Sequence, residues 1–350
     1  MFRPPWWCRN RHLQTIWGPF VRRGHVPLSR ERVPTTDGDF IDLDWLDGPA
    51  DADAPVVLVL HGLEGSTRSH YVAGLLAQVR KRGWRGVALN FRSCSGELNR
   101  RPRFYHSGDT GDLDAIVRLL IERQPDVRLG AVGISVGGNV LLKWLGELET
   151  DVPKQLVAAV GISVPFDLAR CARDLDRGLR RAVYTAHFLR TLRRKVLEKA
   201  RHFPDFVDVR AVRRARTLSD YDRAVTAPLH GFADEHDYWA RSSSGPYLTR
   251  IRRPTLLISA LDDPLVPADA LPDPRTVPGD VTAEFTTHGG HGGFLEGLWP
   301  WRLESWAERR AIDFLAGKIE GRLGAPLRGA PQDSRARAKP ALDPPTVREV

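Results

Sequence analysis

A handful of short stretches carry side chains that could do chemistry together. In Gly130-Ala131-Val132-Gly133-Ile134-Ser135-Val136-Gly137-Gly138-Asn139 an apolar run enters G-x-S-x-G and passes into a helical pattern from Val136 to Gly146. A serine at such a strand-to-helix turn is held in a strained backbone conformation with its hydroxyl exposed, and glycines at 133 and 137 leave room for the chain to fold back. The helix start offers free backbone N–H groups, notably that of Val136, to a developing oxyanion. A Rossmann turn is excluded because the glycines are not spaced G-x-G-x-x-G, and a P-loop because no Gly-Lys-Ser/Thr follows.

A serine hydroxyl is a poor nucleophile at neutral pH and needs an imidazole within hydrogen-bond reach, itself oriented by a carboxylate. In strand–elbow–helix hydrolases those partners follow the serine in the order acid, then histidine. Both occur in that order: Leu261-Asp262-Asp263-Pro264-Leu265-Val266-Pro267 and Thr287-His288-Gly289-Gly290-His291-Gly292-Gly293-Phe294. Asp263 is the expected acid, because it stands three residues before the Val266-Pro267 pair, which leaves Asp262 to cap or brace the turn. His291 is preferred to His288 because glycines flank it on both sides and it opens toward the last helix. The remaining candidate is His61-Gly62-Leu63-Glu64-Gly65-Ser66. This loop would supply the second oxyanion donor, the N–H of Leu63, with His61 holding the loop by hydrogen bonds.

The elements around these motifs must bring them to one place. Short apolar runs at Val56 to Leu60, Val87 to Leu89, Leu129 to Val132, Val157 to Ile162 and Thr255 to Ile258 fit parallel strands buried on both faces. Amphipathic stretches at 70 to 82 and 110 to 123 fit the helices between them. Such alternation specifies an α/β doubly wound sheet whose ligands bind beyond the carboxyl ends of the strands. Residues 1–30 read as an irregular arm packed on the body, 31–166 as the first part of the core, 167–247 as an inserted helical lid and 248–318 as the second part of the core. A further strand is expected at Val281 to Thr286 and a last helix at 303 to 316. The Pro-, Ala-, Arg- and Gly-rich residues 319–350 read as a disordered tail.

The totals narrow the classes. In 350 residues, 42% hydrophobic and 27% charged, no apolar run approaches the roughly 18 residues a bilayer span needs. The start lacks the apolar stretch of a secretory signal, and Cys8, Cys94 and Cys171 show neither disulfide nor zinc spacing. A cytoplasmic protein is expected. The net charge of +9 comes largely from arginine. A nucleic-acid partner is not expected, because no recognition motif accompanies the charge, whereas transient contact with an anionic membrane surface through the basic stretch Phe188 to Val196 is admitted.

Several motifs extend the argument: Asn10-Arg11-His12-Leu13-Gln14-Thr15, the His61 loop, Asn90-Phe91-Arg92-Ser93-Cys94-Ser95-Gly96-Glu97, Tyr105-His106-Ser107-Gly108, Ala227-Pro228-Leu229-His230-Gly231-Phe232, and the Asp263 and His291 loops. Over nearly the whole chain except the tail, they resemble the α/β-hydrolase superfamily and, more narrowly, the YheT-like hydrolases related to abhydrolase-domain lipases. The resemblance implies a carboxylic ester hydrolase whose triad falls on Ser135, Asp263 and His291. Ser93 departs from the family, which usually has glycine there, and Asp109 stands where glutamate is common. The expected reaction is cleavage of small-molecule esters of short- to medium-chain acids through an acyl-enzyme, with no metal or organic cofactor. A phospholipase, a thioesterase or acyltransferase, or a non-catalytic ligand-binding hydrolase fold are the alternatives.

Overall fold

In the computed structural model, which describes residues 2–22, 26–48 and 51–321, the chain opens with helix α1 (Arg11–Val21) and strands β1 (Leu28–Pro34) and β2 (Phe40–Leu46). Strands and helices then alternate as β3 (Val56–Leu60), α2 (His70–Lys81), β4 (Arg85–Asn90), α3 (Gly111–Arg123), β5 (Leu129–Ile134), α4 (Val136–Leu148) and β6 (Leu156–Ile162). Here the alternation breaks. A helical segment carries α5 (Leu168–Leu175), α6 (Gly178–Arg180), a π-helical stretch over Arg181–Thr185, α7 (Ala186–Lys199), α8 (Val209–Arg214), α9 (Leu218–Tyr221), α10 (Ala227–His230) and α11 (Glu235–Ser242). The sheet resumes with β7 (Thr255–Ala260) and β8 (Val281–Thr286), followed by a hairpin of β9 (Leu295–Trp299) and β10 (Arg302–Ser305) and by α12 (Trp306–Ile319).

The main sheet has the order β1-β2-β4-β3-β5-β6-β7-β8. From β4 to β8 every pairing is parallel, while β1 and β2 join antiparallel at one edge. The apolar runs follow from burial on both faces. Along β3, Val56, Leu58 and Leu60 enter one core cluster with α3 and α4, and Val57 and Val59 enter the other with α2 and α12. A strand that alternates between two dry layers has no position for a polar side chain. The inserted helices close over an apolar cluster of their own, with Leu189, Val196, Val212, Tyr221 and Val225 around Phe104 of the core.

Two expectations need correction. The arm is not irregular throughout, because Arg11–Val21 forms a helix capped by Asn10, whose side chain accepts from the N–H groups of His12 and Leu13. Its buried positions are Gln14 and Gly18; Leu13, Ile16, Trp17, Phe20 and Val21 do recur at helical spacing, but Gly18 and Pro19 in their midst read as breakers. The last helix also starts later than expected, at Trp306, because residues 302–305 pair with β9. The expected tail lies almost entirely outside the described residues. No described helix is long and apolar enough to cross a membrane.

Candidate active site

The turn between β5 and α4 puts Ser135 at φ 54° and ψ −122°, a backbone region that is costly for any residue but glycine. The surroundings hold it there. A Cβ on residue 133 would lie 2.5 Å from the carbonyl oxygen of residue 137, and one on residue 137 would lie 2.5 Å from that of His61. Glycine at 133 and 137 is therefore a packing requirement of the elbow. The N–H of Ser135 donates to the Ile162 carbonyl at 2.8 Å, tying the turn to the end of β6.

Beyond β7 and β8 the chain delivers the other two groups. His291 Nε2 lies 2.9 Å from Ser135 Oγ, and its Nδ1 lies 2.8 Å from Asp263 Oδ2. The Asp263 side chain is 1% exposed and that of His291 12%. Asp263 Oδ1 accepts from the N–H groups of Leu265 and Val266 at 2.7 and 3.0 Å, so the carboxylate is fixed on both oxygens. Its neighbour takes a different partner: Asp262 accepts from the Gly290 N–H at 3.0 Å and sits 3.1 Å from His288 Nδ1. The two Asp–His pairs are thus separate, with the 262–288 pair bracing the loop that carries His291.

The arm has a place at this site. Thr15 Oγ1 accepts from the His291 N–H at 3.0 Å, and Ser163 Oγ accepts from the Gly292 N–H at 2.9 Å. Fully buried Gln14 donates to the carbonyls of Cys8 and Leu295 at 2.8 and 3.3 Å and accepts from the Leu295 N–H at 2.7 Å. The sequence shows no role for the Asn10–Thr15 motif, because its partners at His291 and Leu295 lie more than 270 residues away. Truncating Gln14 orphans three buried backbone groups, each worth roughly 1–3 kcal/mol when left unpaired. Gln14→Ala should therefore lower stability by about 3 kcal/mol or more, read as a drop in the urea midpoint with an unchanged slope.

On the opposite side, the Gly62 N–H donates to the Tyr71 hydroxyl at 3.1 Å and the Glu64 N–H to the Tyr105 hydroxyl at 2.8 Å. The Leu63 peptide is held between them, and Leu63 and Val136 line one cavity with Ser135 and His291. His61 is buried beneath this loop: its Nδ1 lies 2.8 Å from the Gly62 carbonyl and its Nε2 accepts from the Phe91 N–H at 3.1 Å. Desolvation lowers its pKa to about 4. His70 and His230 are lowered in the same way to about 3 and about 4. The unfolded chain takes up protons on these rings below about pH 6.5 while the folded chain does not. Stability present above pH 6.5 should be lost as pH falls toward 4, by about 1 kcal/mol per pH unit for each ring held neutral. A thermal midpoint that is flat from pH 6.5 to 4.5 would contradict this.

The cavity, of about 120 Å³, is walled mainly by apolar groups such as Phe104, Leu168, Leu192 and Val225. At its wall Lys195 of α7 meets Glu64 at 2.9 Å, and Lys199 donates to the carbonyls of Arg101 and Arg103 at 2.6 and 3.0 Å. Lys195 of the basic stretch and Lys199 just beyond it therefore anchor α7 to the core. A wider groove of about 740 Å³ also reaches Ser135 and His291, between α1 and the π-helical turn at Val183 and Tyr184.

The parallel sheet, the elbow after β5 and the loops after β7 and β8 define a class of protein. Residues 55–298 match the family described as alpha/beta hydrolase fold, and the chain belongs to that family. Among curated relatives, YheT of Escherichia coli K12 is 39% identical over 320 residues, covering 89% of this chain and 92% of YheT. Mouse phospholipase ABHD3 is 31% identical over 328 residues, covering 91% of this chain and 79% of that protein. In three dimensions the esterase Pf2001 of Pyrococcus furiosus aligns with a TM-score of 0.55 at 19% identity, covering 84% of this chain and 92% of the esterase, a likeness of fold.

Proposed function

We propose that the protein is a serine hydrolase of carboxylic esters. The observation that carries the reading is the unbroken line from Asp263 through His291 to Ser135, with steps of 2.8 and 2.9 Å, at the edge of an apolar cavity. In this scheme His291 Nε2 takes the proton of Ser135 as Oγ attacks the ester carbonyl, and Asp263 holds the imidazole in the tautomer that accepts it. The N–H groups of Leu63 and Val136 receive the oxyanion. The imidazolium returns its proton to the departing alcohol, leaving an acyl-Ser135 ester. A water deprotonated by the same imidazole then attacks that ester, and the acid leaves as Ser135 regains its proton.

The substrate class follows from the cavity's walls and size, which suit short- to medium-chain acyl groups better than long ones. The inserted helices, residues 167–247, serve in this reading as a lid that supplies the apolar walls. With p-nitrophenyl esters of graded acyl length, kcat/KM should rise from acetate to a short- or medium-chain maximum and fall by about tenfold or more at palmitate. A rate independent of chain length would remove the role given to the cavity. A second reading, hydrolysis of phospholipid esters by the same residues, is favoured by the likeness to phospholipase ABHD3. Cys8, Cys94 and Cys171 are unpaired and buried, which supports work in a reducing compartment such as the cytoplasm.

A further inference from the structure

The groove that reaches Ser135 opens beside an apolar surface that the ester chemistry does not use. On α1, Ile16 and Phe20 stand one turn apart on the groove's rim, and Phe20 is 67% exposed. Across the groove Val183 continues the rim. Next to Phe20 on the helix, Trp17 donates through Nε1 to the Pro300 carbonyl at 3.0 Å, and Trp7 donates to the Gly297 carbonyl at 3.3 Å. These bonds fasten the arm to the tip of the β9–β10 hairpin, where Leu298, Trp299 and Trp301 are 78%, 57% and 67% exposed and the two indole rings stack at 5.6 Å. Water-exposed apolar side chains in this density are unusual for a monomer's surface.

The charge around the patch is mainly positive. Arg9 and Arg11 of the arm, Arg68 of the loop before α2 and Arg302 of β10 are exposed. The acids near them face cations: Glu308 meets Arg22 at 2.5 Å, Glu296 meets Arg309 at 2.7 Å, and the exposed Glu304 of β10 lies 3.6 Å from Arg309 and 3.9 Å from Lys81. Tryptophan bodies set among arginines match the boundary between acyl chains and anionic head groups, where an indole buries its rings and arginine meets phosphate. We propose that α1 and the β9–β10 hairpin form a face that docks the protein on an anionic phospholipid bilayer, with the groove to Ser135 opening toward the lipid. The face differs from the basic stretch of α7 to which the sequence pointed, and docking does not depend on the ester chemistry.

Flotation of the full chain with vesicles tests the proposal without turnover. Vesicles of phosphatidylcholine with about 30% phosphatidylserine should carry the wild-type protein upward, and vesicles of pure phosphatidylcholine should bind it about tenfold more weakly. Raising salt from about 0.1 to about 1 M should release much of the bound protein by screening. The triple variant Leu298→Ser/Trp299→Ser/Trp301→Ser should bind anionic vesicles at least about tenfold less while hydrolysing p-nitrophenyl butyrate at the wild-type rate. Brominated phosphatidylcholine in the same vesicles should quench the wild-type tryptophan emission. Wild-type protein that stays unbound and unquenched, or a triple variant that floats as well as wild type, would overturn the proposal. A dimer that the triple variant dissociates, without vesicle binding, would assign the face to self-association and overturn it as well.

Discussion

Ser135→Ala should lower kcat on p-nitrophenyl butyrate by a factor on the order of 10⁵, with KM within a few-fold of wild type. The reasoning starts at the elbow. The strained backbone of residue 135 points one side chain at His291 Nε2, 2.9 Å away, and the methyl of alanine offers neither a nucleophile nor a proton. On the proposed reading, polarisation of the bound ester by the Leu63 and Val136 N–H groups survives and leaves roughly 10³-fold acceleration over water. The other serine in the loop cluster cannot substitute, since Ser163 is buried and its hydroxyl accepts from the Gly292 N–H. A fluorophosphonate probe should label the wild-type protein and not Ser135→Ala. A variant that keeps either its label or its turnover would refute the assignment of the nucleophile.

Asp263→Asn should cost about 10⁴-fold in kcat, whereas Asp262→Asn should cost less than about tenfold. Asp263 holds His291 Nδ1 through Oδ2 and takes two backbone donors on Oδ1. An amide keeps the shape, but with its oxygen on those backbone donors its NH₂ faces the imidazole. Nδ1 is then turned into an acceptor and the proton moves to Nε2, where it blocks removal of the serine proton. Asp262 pairs with His288 and the Gly290 N–H, so its loss loosens the loop without changing the tautomer of His291. The thermal midpoints separate the cases, because a rate lost through misfolding would appear in both. If Asp262→Asn were the more damaging change, the acid would have been misassigned.

What the sequence made readable was local or patterned. The elbow is a run of ten residues whose glycine spacing already implies a positive φ at Ser135, and the buried strands announce themselves as valine and leucine runs because both of their faces are dry. The Asp263 and His291 loops were placed by following strands in chain order. Features that rest on distant partners stayed hidden. Helix α1 docks through Gln14 and Gly18 rather than through its apolar residues, and Gly18-Pro19 interrupts the spacing that announces a helix. In sequence Lys195 and Lys199 show only positive charge, and their partners, Glu64 and the carbonyls of Arg101 and Arg103, come from distant parts of the chain. The β9–β10 hairpin was missed because Leu298-Trp299-Pro300-Trp301 shows no alternation. Ser93 departs from the family's usual glycine, and its φ of 65° shows why glycine is common there: the turn needs a left-handed residue, and serine occupies it at a cost in strain.

The grip of Thr15 on the main chain of His291 has a consequence for how a newly made molecule comes to life. Thr15 of helix α1, which braces the proposed base, precedes it by 276 residues, and the proposed base comes out only after all eight strands of the main sheet have been synthesised. A nascent chain stalled anywhere before the Gly-rich loop would own a serine with nothing to waken it. Proteolytic removal of α1 would take Thr15 away from the proposed base of a finished molecule. On the proposed reading, competence is a late property of folding, acquired when α1 meets the Gly-rich loop that follows the sheet.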